Sequence, residues 1–186
     1  LDAGDTPDAP AMRLEHVYIG LQVRGTAHEP EKLDAGEREG PRPVPALAAL
    51  QAGARRLMLL GGPGSGKSTF INHLVLCLAG ARLGEDAWLA RLPEWQLGAL
   101  LPVRVLLPEL AAFAPAGPGP LDDLLAFLRH QLGAQAEALA PIEAALTDGT
   151  AMLLFDGLDE VAGDVALARV LACVAAAADQ YPQLPG

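Results

Sequence analysis

The sequence predicts an α/β protein of three layers, in which helices cover both faces of a mainly parallel sheet. Apolar runs at residues 57–60 and 151–155 are short and free of polar residues, as is typical of strands buried on both faces. Residues 101–107 form a third strand candidate, and longer amphipathic segments separate the three. Alternation of strand and helix along the chain favours parallel strands joined by helical crossovers.

The glycines after residue 60 form a motif for binding phosphate. Gly61, Gly66, Lys67 and Ser68 occupy the fixed positions of G-x-x-x-x-G-K-[ST], the phosphate-binding loop of P-loop NTPases. At ordinary residue frequencies, these positions match by chance in about one chain in a hundred of this length. The alternative is a glycine-rich turn without a ligand. The predicted nucleotide cradle consists of Gly61, Gly62, Pro63, Gly64, Ser65, Gly66, Lys67, Ser68 and Thr69.

Each residue type in this loop suits one part of a nucleoside triphosphate. Backbone N–H groups from Gly62 to Lys67, with the N-terminus of the next helix, can hold the α- and β-phosphates. Lys67 brings a point charge to the β- and γ-phosphate oxygens, and the Ser68 hydroxyl is a ligand for Mg²⁺. Thr69 is expected near the α-phosphate. Lys67 is one of only two lysines, and its ammonium fits between phosphates where a bulkier guanidinium would not.

A second group of candidate site residues follows the apolar run at 151–155. Asp156 ends that run, and the ligand crevice of a parallel sheet lies at the carboxyl ends of its strands. We therefore expect Asp156 to complete the Mg²⁺ site with Ser68, through a water molecule. Glu160, or next Asp159, is the candidate to orient or deprotonate the attacking water. The alternative is an acidic turn without a metal.

Composition restricts the partners and the compartment. The net charge is −10 and no basic face is apparent, which argues against a nucleic-acid partner. No run of 18 apolar residues suggests a membrane span. Cys77 and Cys173 lie in apolar helical patterns and are predicted to be small buried hydrophobic residues in a reducing, cytoplasmic setting. Leu1 in place of an initiating Met leads us to expect a fragment or a processed chain.

The chain divides into three regions. Residues 1–12 are predicted to be a flexible linker, residues 13–44 an N-terminal strand and loop, and residues 45–186 the nucleotide-binding core. The N-terminal strand is placed at 17–23 and the loop at 25–43.

Within the core, helices are predicted at residues 45–51, 70–78, 121–132, 136–146 and 165–180. Residues 84–98, which carry Trp88, Leu92 and Trp95, are expected to contribute to the core, and residues 114–120 to form a loop. His73 is predicted to be exposed, and Arg104 to point outward from an edge strand.

The two motifs together resemble the NACHT group of STAND signalling NTPases. The segments GGPGSGKST (61–69) and LLFDGLDE (153–160) carry the resemblance. In that family a small residue follows the metal-binding Asp and an acidic pair comes three positions later, a pattern that Gly157, Asp159 and Glu160 match. The stretches YIGL and PVRVLLPEL also resemble bacterial NACHT modules, so the resemblance covers roughly residues 14–186.

The resemblance implies a function and a missing part. It implies an AAA+/STAND-like switch that binds Mg-ATP, hydrolyses it slowly and self-associates, with fused effector and sensor domains and, in bacteria, a role in defence. GTP is the alternative nucleotide. It also implies a core that is incomplete at its C-terminus, because the strand bearing the family's sensor residue would follow residue 186. That strand would insert between the strands that end at residues 60 and 155.

Other classes are compatible with the phosphate-binding loop. A nucleotide-dependent scaffold without significant hydrolysis and a small-molecule kinase both share it. A Ras-like GTPase does not fit, because residues 156–159 are not D-x-x-G and the two lysines leave no room for N-K-x-D.

Overall fold

The computed structural model describes residues 22–24, 43–51, 57–59, 61–62, 64–114 and 117–184. At the N-terminal end, strands β1 (Gln22–Arg24) and β2 (Pro43–Pro45) pair antiparallel and lead into the short helix α1 (Ala46–Gln51). The first strand was predicted at 17–23, of which 17–21 lie outside the described residues, as do residues 25–42 of the predicted loop. The helix predicted at 45–51 is confirmed from residue 46.

Helix α2 (Lys67–Arg82) follows the glycine-rich loop and is the helix predicted at 70–78, extended at both ends. It begins after Gly66, whose φ of 91° turns the chain, and it ends before Gly84. Its apolar stripe, which includes Phe70, Leu74 and Leu78, is fully buried. The stripe supplies the burial that stabilises a helix of this length in a folded chain.

Strands β3 (Leu101–Leu106) and β4 (Ala151–Asp156) pair in parallel, from Leu101 opposite Ala151 to Leu106 opposite Asp156. The predicted parallel pairing is therefore confirmed for these two strands. Their crossover consists of helices α3 (Leu107–Ala112), α4 (Pro120–Leu132) and α5 (Leu139–Thr147), with a 3₁₀ segment at Gly133–Ala138. Helix α6 (Asp164–Gln180) follows β4.

The two faces of this strand pair are buried in different clusters. On β4, Ala151, Leu153 and Phe155 pack with α3 to α6, whereas Met152 and Leu154 pack with α1 and α2. Since side chains alternate along a strand, Asp156 lies on the same face as Met152 and Leu154. The last residue of β4 is thereby directed toward the side of the sheet that α2 covers.

Arg169 of α6 hydrogen-bonds to the C-terminal end of α3, the helix that follows β3. Its Nη2 donates hydrogen bonds to the backbone oxygens of Leu110 and Phe113, at 2.6 and 2.5 Å. These carbonyls are at the C-terminal end of α3, where helix geometry leaves them without partners. The contact keeps α3 and α6 together beside the end of the strand pair.

Three sequence predictions in this part of the chain need correction. Residues 57–59 do not form a strand; they border an apolar groove that β4 also lines, and a strand requires a neighbour for its backbone groups. The strand predicted at 101–107 ends at residue 106, because Leu107 begins α3, a helix that the sequence reading missed. Pro108 in its first turn was the available signal.

His73 is the third correction, since it is 3% exposed where exposure was predicted. The segment 84–98, with a 3₁₀ helix at Asp86–Arg91, covers this side of α2. That segment contributes to the core as expected: Leu92 is 2% exposed, and both tryptophans pack against the same cluster.

Both cysteines are free and fully buried, as predicted. Burial raises the pKa of the Cys77 and Cys173 thiols, which keeps them protonated near neutral pH. Within the described ranges, no helix is long and apolar enough to cross a membrane.

The burial of His73 predicts a dependence of stability on pH. Burial lowers its pKa below 6.5, an effect only partly offset by a hydrogen bond with the backbone of Arg91. Below pH 6.5 the unfolded chain therefore binds a proton that the folded chain does not, so the free energy of unfolding decreases as the pH falls. The contribution reaches at most about 1.4 kcal/mol per pH unit.

Urea denaturation of the wild type and of His73→Gln at pH 7 and pH 5 measures this contribution. Other groups titrate equally in both proteins, so His73→Gln is expected to lose less stability between the two pH values. Equal losses in the two proteins would contradict the assignment.

Candidate functional site

The glycine-rich loop forms one wall of the candidate site. Gly64 and Gly66 have φ values of 74° and 91°, in the left-handed region that residues with a Cβ seldom adopt. The Ser65 N–H donates to the Gly62 oxygen at 3.2 Å and closes the turn. Left-handed turns of this kind direct successive N–H groups to one side, where they can bind an anion. Pro63, also predicted in the cradle, lies outside the described residues.

Lys67 reaches back across this loop. Its Nζ donates to the backbone oxygens of Gly61 and Gly62, at 2.5 and 3.2 Å, and lies 3.4 Å from Asp159 Oδ2. A Cβ on Gly61 would lie 2.7 Å from Ser65 Oγ, so a side chain at this position would require the Ser65 side chain to move. The Asp159 side chain is 47% exposed, and an ion pair so open to solvent adds under about 1 kcal/mol. The ion pair with Asp159 therefore helps to position the Lys67 ammonium but contributes little to the stability of the fold.

The two predicted metal ligands lie next to each other. Ser68 Oγ donates a hydrogen bond to Asp156 Oδ1 at 3.0 Å, across 88 residues of sequence. Ser68 is in the first turn of α2 and Asp156 ends β4 on the face that α2 covers. The two motifs, predicted separately, thus meet at the carboxyl end of the strand pair.

Arg104 was predicted to point outward, and this prediction is wrong. Its Nη2 donates to Asp156 Oδ2 at 2.7 Å. Arg104 is opposite Leu154 in the β3–β4 register, one alternation before Asp156 on the same face. Asp156 is 5% exposed, and a buried carboxylate needs charged or hydrogen-bonding partners to replace water. A single charged residue inside an apolar strand was the signal that could have identified Arg104.

The turn after β4 carries the two acidic candidates. Gly157, with φ of 81°, leads into a 3₁₀ segment, Leu158–Glu160. Both side chains are exposed, but Asp159 lines the same groove as Lys67 and Glu160 does not. Thr69 is also exposed and outside the lining. The structure therefore brings Asp159, the second choice from the sequence, closest to the lysine.

The groove itself is mostly apolar and has a volume of about 460 Å³. Leu57 to Leu59, α2, β4 and α6 supply its apolar walls. Its charged lining residues are Lys67, Asp156 and Asp159. The groove thus combines a small polar region with a longer apolar region along β4.

The donor set fits a magnesium ion. Ser68 can supply its hydroxyl oxygen as a ligand, and Asp156, whose Oδ1 lies 3.0 Å from that hydroxyl, can hold a water molecule that binds the same ion. The described residues hold no cluster of three or more His, Cys, Asp or Glu side chains suited to a metal. Nucleotide-bound Mg²⁺ needs none, because phosphate and water supply most of its ligands.

Comparisons with protein-family models, with curated proteins and with solved structures find no match to this chain. The function of the site therefore has to follow from its own residues and geometry.

The turn that carries Asp159 depends on Gly157, which gives a prediction with an internal control. A Cβ at Gly157 would lie 3.1 Å from Pro108 Cδ, whereas a Cβ at Gly163 would meet no atom within 4 Å. Both glycines have positive φ, 81° and 86°. Both alanine variants therefore carry backbone strain of about 1 kcal/mol or more, but only Gly157→Ala also adds a tight contact, from which Pro108 has to move slightly.

Urea denaturation should show that Gly157→Ala lowers the free energy of unfolding by up to about 1 kcal/mol more than Gly163→Ala does. Equal effects of the two substitutions would show that the turn tolerates a side chain.

Proposed function

We propose that this chain is the nucleotide-binding core of a NACHT-type NTPase of the STAND class. It binds Mg-ATP and hydrolyses it slowly, as a signalling switch that controls self-association. The observation that carries the proposal is the 3.0 Å hydrogen bond from Ser68 to Asp156. It joins a phosphate-binding motif to a strand-end carboxylate, the two protein groups that a magnesium-nucleotide complex has to touch together.

Phosphate binding would use backbone groups of the glycine-rich loop. The N–H groups of the loop and of the first turn of α2 would hold the phosphates. Lys67 would exchange the neutral carbonyl oxygens of Gly61 and Gly62 for anionic phosphate oxygens, which form stronger hydrogen bonds with an ammonium. The acidic charge of the whole chain does not oppose this, because the site supplies its own local donors.

Ser68 and Asp156 would hold the metal ion, whose charge offsets that of the β- and γ-phosphates. Asp159 is within 3.4 Å of Lys67 and therefore close to where a γ-phosphate would lie. It can accept a hydrogen bond from the attacking water and orient it. Glu160, next in the same turn, is the alternative acceptor.

The position of the groove also supports the proposal. The resemblance to NACHT proteins implies an additional strand between residues 57–60 and β4. The apolar part of the groove lies at this position, bordered by Leu57 to Leu59 and by β4.

A nucleotide-dependent scaffold with little hydrolysis is the second candidate. Glu160, the residue first expected to activate water, does not line the groove, and this favours the second candidate. In that case bound nucleotide would order an interface and its hydrolysis would be incidental.

Binding is tested by comparing the only two lysines of the chain. In the full-length protein, Lys67→Ala should weaken Mg-ATP binding at least about tenfold, because the phosphates lose their cation. Lys32→Ala, which lies outside the motif, should leave binding unchanged. Isothermal titration calorimetry measures both, and chelation of Mg²⁺ should also weaken binding to the wild type. Unaltered binding by Lys67→Ala would overturn the proposal.

Substitutions of the two acidic residues in the turn after β4 test whether the switch depends on ATP hydrolysis. Asp159→Asn and Glu160→Gln should both retain Mg-ATP binding, and the variant that removes the water-orienting group should lose phosphate release by about a hundredfold or more. Phosphate release and size-exclusion chromatography with and without ATP are the measurements. Nucleotide-dependent assembly that persists when neither substitution changes the rate would favour the scaffold.

A further inference from the structure

The Lys67 ammonium has acceptors for all of its N–H groups in the structure. A lysine ammonium carries three donors and no acceptor. The oxygens near Lys67 Nζ are Gly61 O at 2.5 Å, Gly62 O at 3.2 Å, Asp159 Oδ2 at 3.4 Å and Ser65 Oγ at 3.5 Å. Three of these acceptors are neutral, and the Asp159 carboxylate alone is charged. A phosphate oxygen that binds Lys67 therefore has to replace an acceptor that is already in place.

Asp159 is the acceptor that a phosphate displaces least easily. A hydrogen bond to a neutral carbonyl oxygen weakens steeply when its geometry changes. The attraction between opposite charges falls only with the inverse of their distance, so it persists when the ammonium moves. The carbonyl oxygens of Gly61 and Gly62 would therefore be exchanged first, and Asp159 would stay beside the ammonium. In that position the carboxylate faces the phosphate that Lys67 holds.

The charges of the groove leave Asp159 without another counter-ion. Among the described residues that line the groove, Lys67 is the one cation, and Asp156 and Asp159 are the two carboxylates. Asp156 is offset by Arg104, whose Nη2 donates to it at 2.7 Å. Asp159 is offset by Lys67. A phosphate and the Asp159 carboxylate would thus share one ammonium, and their mutual repulsion reduces the attraction of the site for phosphate.

We propose that Asp159 is a specificity-determining residue that weakens binding of the γ-phosphate, and so narrows the preference of the site for a nucleoside triphosphate over a diphosphate. This inference rests on the proposed function, since it concerns the nucleotide that the site binds. It adds a role in binding to the water-orienting role of the same carboxylate.

The γ-phosphate is the one that Asp159 opposes most. The α- and β-phosphates would lie within the glycine-rich loop, where backbone N–H groups surround them. The γ-phosphate would lie beyond the loop, beside the metal ion and the lysine. Asp159 contacts Lys67 from the turn that begins directly after Asp156, the residue on the metal side. A diphosphate lacks the group nearest to this carboxylate, so the repulsion affects ATP more than ADP.

The test measures the affinity of the full-length protein for ADP and for an ATP analogue whose β–γ bridge cannot be hydrolysed. Isothermal titration calorimetry with the same Mg²⁺ concentration throughout gives the ratio of the two dissociation constants, that of ADP divided by that of the analogue. Asp159→Asn keeps the size of the side chain and removes its charge. It should raise this ratio about threefold, the effect expected of a charge that is partly open to solvent.

Two further variants complete the experiment. Asp159→Ser also removes the charge but brings no amide, so it should raise the ratio by a similar factor. Asp164→Asn removes an equal charge from an exposed residue at the start of α6 that does not line the groove, and it should leave the ratio unchanged.

The outcomes separate this role from the proposed function. If the wild type binds neither nucleotide, the proposed function fails and the role of Asp159 in specificity fails with it. If the wild type binds the analogue but both Asp159 variants keep its ratio or lower it, the proposed function stands and this role is overturned. A rise with Asp159→Asn alone would assign the effect to the new amide, and an equal rise with Asp164→Asn would assign it to the overall charge. Either result would overturn the role as well.

Discussion

One buried carboxylate links the elements of the candidate site. Asp156 accepts hydrogen bonds from Ser68 in α2 and from Arg104 in β3, so the last residue of β4 is joined to both neighbours. Removing a charge from water costs several kcal/mol unless donors replace the lost hydration. The Asp156 carboxylate therefore constrains the structure around it. The first turn of α2 and the strand pair have to lie where Ser68 and Arg104 can both donate to it.

The sequence identified those site residues that belong to a short motif with fixed spacing. The glycines, Lys67 and Ser68 follow a fixed spacing that needs no knowledge of the fold. The meeting of Ser68 with Asp156 followed from one further rule, that a parallel sheet gathers ligands at the carboxyl ends of its strands. That β3 and β4 run parallel was predictable from the alternation of strands and helices along the chain, but the sequence did not indicate that the two strands are neighbours.

What the sequence did not indicate depends on neighbours that are distant in the chain. The direction of Arg104 depends on the register with β4, and alternation cannot distinguish inside from outside when both faces of a strand are buried. His73 is off the main apolar stripe of α2, but another segment of the chain covers it. Residues 57–59 have the composition of a strand, yet strand structure requires a partner beside them.

The parallel pair has a further consequence for handling the protein. Within the described residues β4 hydrogen-bonds only to β3, so its opposite edge presents peptide groups beside the apolar groove. From Ala151 to Phe155 this edge has neither a charged residue nor a proline, the two features that commonly discourage intermolecular strand addition. We expect this chain to aggregate at high concentration by pairing of these strand edges. A short apolar peptide that binds along the edge of β4 is expected to prevent the aggregation.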